Sequence, residues 1–383
     1  MEKVKILKAV DIINDSVSEY EGERPFLSTG DLNLSTITNL ELHTFSEKPS
    51  RANQNVSSGD LILARMQGTV KVKLINNEDE NIIVSTGFLV LRPKINADSK
   101  YLFHLLKSSN FQNDKDKLCT GATQKAINNS NFEKLEIPLP NLATQQRIAA
   151  ILDQADAIIQ NNRAIVQKYD ALTQSLFLDM FGDPVRNEKG WEIRKMEEIS
   201  LKITDGTHQS PKFLKEGIPF LLVSNIVNNK INYKTNKFIS EEDFETLNKR
   251  TPIEIGNILL TSVGSYGNPA IIESQMKFAF QRHIAFIKPN HSMINYHFLF
   301  HFLKSDLIKR EIDKKVKGAA QKTYNLVELK KLRIILPTIT LQNQFAERVA
   351  VIESQKQQAQ LELAKSEELF QSLLQRAFKG ELN

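Results

Sequence analysis

Gly121-Ala122-Thr123-Gln124-Lys125 returns 197 residues later as Gly318-Ala319-Ala320-Gln321-Lys322, and this recurrence decides the fold. From 121 to 141, 10 of 21 residues are identical to those from 318 to 338. About one match is expected at ordinary residue frequencies. Leu102-Phe103-His104-Leu105-Leu106-Lys107-Ser108 and Leu299-Phe300-His301-Phe302-Leu303-Lys304-Ser305 keep the same offset, as do Gly59-Asp60-Leu61-Ile62-Leu63 and Gly256-Asn257-Ile258-Leu259-Leu260. A two-fold repeat of this length is a duplicated domain, since solenoid units run to about 20–50 residues. Two like domains in one chain predict pseudo-two-fold symmetry and a partner that has two halves of its own.

The 383 residues, 41% hydrophobic and 25% charged, suit two soluble domains, each with its own core. The single Cys119 excludes an internal disulfide and fits a reducing compartment. No stretch reaches 18 apolar residues and the basic start lacks a signal-type apolar run, so a cytoplasmic protein that does not span a membrane is expected. The net charge of +5 says little alone. The basic run Lys309–Lys317 stands beside the second copy of the repeat, where it reads either as a solvated face or as a phosphate contact.

Each repeat reads as a strand-rich module followed by one long helix. Short apolar runs such as Leu61–Ala64 and Ile258–Leu260 are punctuated by Gly, Pro and Asn. From Ile148 the apolar steps alternate four and three through Leu152, Ala155, Ile159, Asn162, Val166, Tyr169, Thr173, Leu176 and Met180. The second copy gives Phe345, Val349, Ile352, Lys356, Ala359, Leu363, Ser366, Phe370, Leu373 and Ala377. Neither segment holds Pro or Gly, and a heptad seam of this length predicts a coiled coil about 50 Å long. The seams are unequal, with Tyr169 answering to Ser366 and Thr173 to Phe370, so they suit one another as partners. Asn162 and Lys356 are polar positions that would fix register. The expected architecture is α+β, with two similar modules held by two long antiparallel helices about a pseudo-dyad. The expected segments are 1–140, 141–182, 183–337 and 338–383.

Between the shared motifs the copies diverge. Arg65-Met66-Gln67-Gly68-Thr69-Val70-Lys71 stands where the second copy has Ser262-Val263-Gly264-Ser265-Tyr266-Gly267-Asn268. A scaffold retained while surface residues change is expected of two modules that read different targets.

Several chemistries lack their residues. There is no Gly-Lys dipeptide for a Walker A loop, no Gly-x-Gly-x-x-Gly, no aminomethyltransferase motif and no cysteine zinc set. His297 and His301 are four apart on a helix pattern, as metal ligands are, but His301 recurs as His104 among apolar residues, which favours a packed histidine. Glu328-Leu329-Lys330 resembles the tail of a nuclease motif without its Pro-Asp partner.

Pro138-Leu139-Pro140 with Gln145-Gln146-Arg147-Ile148, and Leu336-Pro337 with Gln342-Asn343-Gln344-Phe345, resemble the strand-to-helix junctions of type I restriction–modification specificity subunits. Asp205-Gly206-Thr207-His208, Gly217-Ile218-Pro219-Phe220, Gly256-Asn257-Ile258-Leu259 and Gly264-Ser265-Tyr266-Gly267 are similar to that family's target-recognition domains. The first module departs from the pattern, having only Asp15-Ser16 and no Asp-Gly-x-His. The resemblance implies a non-catalytic, DNA-binding subunit that reads an asymmetric two-part site, one half per module, with the helices as a ruler. It also implies two methyltransferase partners and ATP-driven restriction subunits. S-adenosylmethionine, ATP and Mg would then belong to those partners, with no cofactor or metal in this chain. The residues alone leave open the recognition part of a bipartite type II enzyme, or a structural coiled-coil protein.

For such a role, base-reading side chains should be polar and differ between copies. The candidates are Arg65, Gln67, Lys71 and Lys73 in the first module, and Thr207, His208, Ser265, Tyr266, Asn268 and Arg282 in the second. Gln124, Lys125, Gln321 and Lys322 are identical in both copies and cannot explain different readouts. Phosphate contact suits them, as does a turn that ties the module to its helix.

Overall fold

The run Leu61–Ala64 becomes a strand with all four residues buried, because it is covered on both faces. Its alternate side chains enter different cores. Leu61 and Leu63 join a cluster with Leu89, Leu91, Tyr101 and Leu102, whereas Ile62 and Ala64 join Leu27, Phe88 and Val90. Around it runs an antiparallel sheet in the order Val10–Ile13, Phe88–Pro93, Leu61–Ala64, Val72–Leu74. A second sheet follows the order Glu41–His43, Arg24–Leu27, Ile83–Ser85, Ala52–Gln54, its middle pair parallel.

The later module repeats this plan. Ser200–Asp205, Ile284–Pro289, Ile258–Thr261 and Pro269–Ile271 form the antiparallel sheet, and Ile218–Leu221 pairs parallel with Ala279–Phe280. Ile258 and Leu260 enter one core and Leu259 another, as the two-residue period requires.

This computed structural model describes residues 3–318 and 322–382, and it forms two units, Met1–Arg163 with Gln360–Asn383, and Ala164–Ala359. Two Pro- and Gly-free helices, Leu142–Phe181 and Ile339–Lys379, are each about 60 Å long at 1.5 Å per residue. In the first unit, Ile148, Leu152 and Ile159 share a core with Phe370, Leu374 and Ala377. Asn162 Nδ2 donates to Ser366 Oγ at 2.8 Å, and Arg163 pairs with Glu367 at 2.6 Å. Residues 148–163 thus run antiparallel to 366–377. In the second unit, Lys356 lies 2.6 Å from Asp170, and Phe177 and Phe181 pack on Phe345, again antiparallel.

Every seam position named above is buried or half-buried. The polar positions Asn162 and Lys356 find partners: Asn162 meets Ser366, and Lys356, 15% exposed, meets Asp170. Satisfied polar pairs at such positions penalise other registers more than they stabilise this one. The helix read as one segment, 338–383, is divided between the units at 359/360. Its last turns close the first module, where Phe378 meets Tyr101 at 5.5 Å and Phe370 meets His104 at 6.1 Å.

Candidate nucleic-acid interface

Gly121–Lys125 is the tip of a loop pinned to the module by backbone hydrogen bonds, and the same pinning flanks the second copy of the motif. Thr120 and Ala126 exchange bonds of 3.0 Å across its base, and Lys317 and Thr323 do the same at 3.1 and 2.8 Å. Gly121 opens the first loop at φ 138°, and a Cβ there would lie 2.4 Å from the Gln124 carbonyl, so a side chain is excluded. Each loop is laced to a neighbouring turn. The Gln67 amide donates to the Lys125 carbonyl at 2.9 Å, as Gly264 does to Lys322 at 3.1 Å. One step inward, Ile127 donates to Arg65 and Arg65 to Gly87, as Tyr324 does to Ser262 and Ser262 to His283. The two modules therefore present one backbone frame with different side chains on it.

Gln124, Lys125 and Lys322 are exposed on these loops. Gln321 lies outside the described residues, so only Lys322 of the second pair is placed.

The first module's base-reading candidates divide. Gln67 is exposed, its amide nitrogen held by the Asp116 carbonyl at 3.1 Å. Arg65 is turned inward: Nε donates to the Phe88 carbonyl at 3.0 Å, and one terminal nitrogen donates to Asn129 Oδ1 at 2.9 Å and to the Ile127 carbonyl at 3.3 Å. Burial lowers its affinity for the proton. Lys73 is paired with Asp79 at 2.8 Å and is 14% exposed, and Lys71 donates to the Thr29 carbonyl at 2.6 Å. Polar residues at strand and turn positions are here consumed by the module's own carbonyls and carboxylates, which the sequence does not show.

In the second module, His208, Ser265 and Arg282 are exposed, and Thr207, Tyr266 and Asn268 are half-buried. The Thr207 hydroxyl donates to the Gln209 carbonyl at 2.9 Å. The Arg282 amide donates to Thr207 O at 3.0 Å, which brings Arg282 beside the Asp-Gly-Thr-His segment. Gly206 is required by close approach, since a Cβ would lie 2.1 Å from the Phe280 carbonyl. Asn268 folds back on the Ser265 carbonyl at 2.8 Å. The Tyr266 hydroxyl donates to Asp313 at 2.9 Å, a bond that raises its pKa. Burial lowers the pKa of the neighbouring His283, and Arg282 adds to this.

Four further residues support these turns, and the sequence alone does not single them out. Lys115, fully buried, donates to the Met66 and Thr69 carbonyls at 3.3 and 3.0 Å and so holds the Gln67 turn from below. Asp116 Oδ2 accepts from Gly68 N at 3.0 Å. Its duplicate Asp313 holds Tyr266, and that identity across the repeat was a usable signal. Arg250, which reaches Asp205, had no signal at all.

The junctions are duplicated atom for atom. Gln145, wholly buried, accepts from Asp98 N at 2.8 Å and donates to the Asn96 and Pro140 carbonyls at 2.9 and 2.7 Å. Gln342, also wholly buried, accepts from Asn295 N at 2.8 Å and donates to Met293 and Pro337 at 3.2 and 2.8 Å. Buried His104 pairs with Asp153 at 2.8 Å, while His301 packs on Phe345. Among the described residues, no group of three or more His, Cys, Asp or Glu could hold a metal ion, and no helix is long and apolar enough to cross a membrane.

The family model described as "Type I restriction modification DNA specificity domain" matches residues 4–168 and 188–363. The specificity subunit of type I restriction enzyme MjaIX from Methanocaldococcus jannaschii is 25% identical over 299 residues, which are 72% of this chain and 68% of that one. The EcoBI specificity subunit from Escherichia coli is 26% identical over 293 residues, covering 69% of this chain and 62% of that protein's length. A solved structure described as the basis of complex assembly and conformational transition of the type I R-M system matches with a TM-score of 0.64. It is 19% identical and covers 100% of this chain and 98% of its own, a likeness of fold.

Proposed function

This chain belongs to the type I restriction-modification DNA specificity family, and from that premise we propose that it reads a two-part duplex DNA site, one half per module. The observation that carries this is the shared backbone frame: one loop and turn in both modules, with Gln67 presented in one and Ser265, His208 and Arg282 beside it in the other. Identical residues on that frame, Lys125 and Lys322, suit phosphates, which position without specifying, and the differing ones suit base edges. The chain itself would do no chemistry. Methyltransferase subunits that bind S-adenosylmethionine, and ATP- and Mg-dependent restriction subunits, would supply it. The paired helices would dock the methyltransferases and set the spacing of the half-sites. In the first unit, the exposed apolar Ile158, Leu361 and Leu369 on those helices suit a protein partner.

Exchange of residues 190–337 for the same segment of another family member tests the reading. Selection of bound sites from a random library should return one altered half-site and one unchanged. Alteration of both halves would overturn the modular reading.

A further inference from the structure

The Asp-Gly-Thr-His segment holds a relay that the first module lacks. Asp205 ends the strand Ser200–Asp205, its side chain 14% exposed. Its Oδ2 lies 2.9 Å from His208 Nε2. Its Oδ1 accepts from an Arg250 terminal nitrogen at 2.5 Å, and the same nitrogen reaches Thr204 Oγ1 at 3.3 Å. Arg250 is the last residue of the helix Glu241–Arg250. The segment between is fixed at its backbone, since Thr207 N donates to the Phe280 carbonyl at 3.1 Å and Arg282 N to Thr207 O at 3.0 Å. Gly206 allows no side chain against Phe280.

A carboxylate facing a guanidinium only accepts hydrogen bonds. The nitrogen of His208 that meets Asp205 must therefore carry the proton. In the neutral imidazole this leaves Nδ1 as a bare acceptor. The ring is 54% exposed, and among the described residues Nδ1 has no hydrogen-bond partner. In the major groove, adenine N6 and cytosine N4 donate, whereas guanine N7 and O6 and thymine O4 accept. A bare Nδ1 gains from the first pair and is repelled by the second.

We infer that Asp205, held by Arg250, fixes His208 as a hydrogen-bond acceptor that reads an exocyclic amino group, adenine N6 or cytosine N4, in the second module's half-site. Asp205 and Arg250 are positioning residues that act through His208. The inference rests on the DNA-binding reading above and adds which residue discriminates, and for which base edge.

The test uses the full chain at mildly alkaline pH. In the second half-site, each adenine is replaced in turn by purine and each cytosine by pyrimidin-2-one, which lack the amino group. One replacement should weaken binding about tenfold, the scale of a lost base contact. His208→Ala should lose about the same on the unmodified site and nothing further on that analogue. Asp205→Asn and Arg250→Met should lose the same discrimination with an unchanged salt slope, and Arg250→Lys should restore part of it. Ring 15N spectra of the free chain should show the Nε2–H tautomer, with a mixture in Asp205→Asn. An Nδ1–H tautomer in the unaltered chain would overturn the inference. So would analogues that affect the unaltered chain and His208→Ala alike. Absence of any sequence preference in the full chain would overturn the DNA reading and the inference with it, whereas the tautomer would still report the relay.

Discussion

Acid should destabilise the second unit through His301. The ring packs on Phe345 at 5.4 Å, and among the described residues it has no hydrogen-bond partner. Burial, with Lys304, His297 and Lys356 adding to it, pushes its pKa from the usual 6.5 down to about 3. The folded unit therefore holds His301 neutral, while the unfolded chain takes up a proton as pH falls below about 6.5. The stability this represents is intact above that pH and is lost progressively as pH falls towards about 3. At pH 5 the gap from 6.5 amounts to about 2 kcal/mol, at 1.36 kcal/mol per pH unit. That corresponds to a shift of about 1 M in the urea midpoint for an ordinary m-value. Trp191, the only tryptophan, packs against the same core and donates to the Phe181 carbonyl at 2.8 Å, so its fluorescence reports this unit. His301→Phe keeps a ring against Phe345 and removes the titration. His297 and His283, also depressed by burial, titrate in both proteins, so the difference between the two curves isolates His301. Parallel curves from pH 7 to 5 would refute the desolvation argument.

Lys125→Ala and Lys322→Ala should each weaken binding to all sequences and lower the slope of log K against log salt by about one. A changed sequence preference at an unchanged slope would exclude phosphate contact. Gln145→Leu and Gln342→Leu each strand one amide and two carbonyls in a buried junction, at a cost of up to about 3–9 kcal/mol when penalties of about 1–3 kcal/mol per group are combined. Hydrogen exchange at the Asp98 and Asn295 amides should accelerate accordingly, and unchanged protection would show that water fills the gap.

The duplication and the heptad seam were legible because both are periodic: any position can be checked against another 197 or seven residues away. The positions from Ile148 to Met180 in that spacing are buried or half-buried. Partners chosen by folding were not legible. Nothing near Lys73 in sequence announces that Asp79 will neutralise it, and Arg65 looks the same whether its guanidinium faces DNA or three carbonyl and amide oxygens. Gln145 and Gln342 were visible as a shared motif, yet their task required knowing that the loop at Asn96–Asp98 folds over the helix start. Where each end of the second long helix packs is hidden for another reason. Amphipathic spacing tells which side of a helix is covered but not by what, and Phe370 and Phe378 gave no hint that a module more than 200 residues upstream would receive them.

That division has a consequence for how the protein is made. The first unit needs Gln360–Asn383, so its core stays open while residues 164–359 are synthesised. At 5–20 residues per second this interval lasts about 10–40 s. Throughout it, Tyr101 and His104 lack the rings of Phe378 and Phe370, and apolar surface exposed in this way invites aggregation. A nascent chain stalled before Phe370 would carry one finished lobe and one sticky one, which makes translation speed through the second half a determinant of yield.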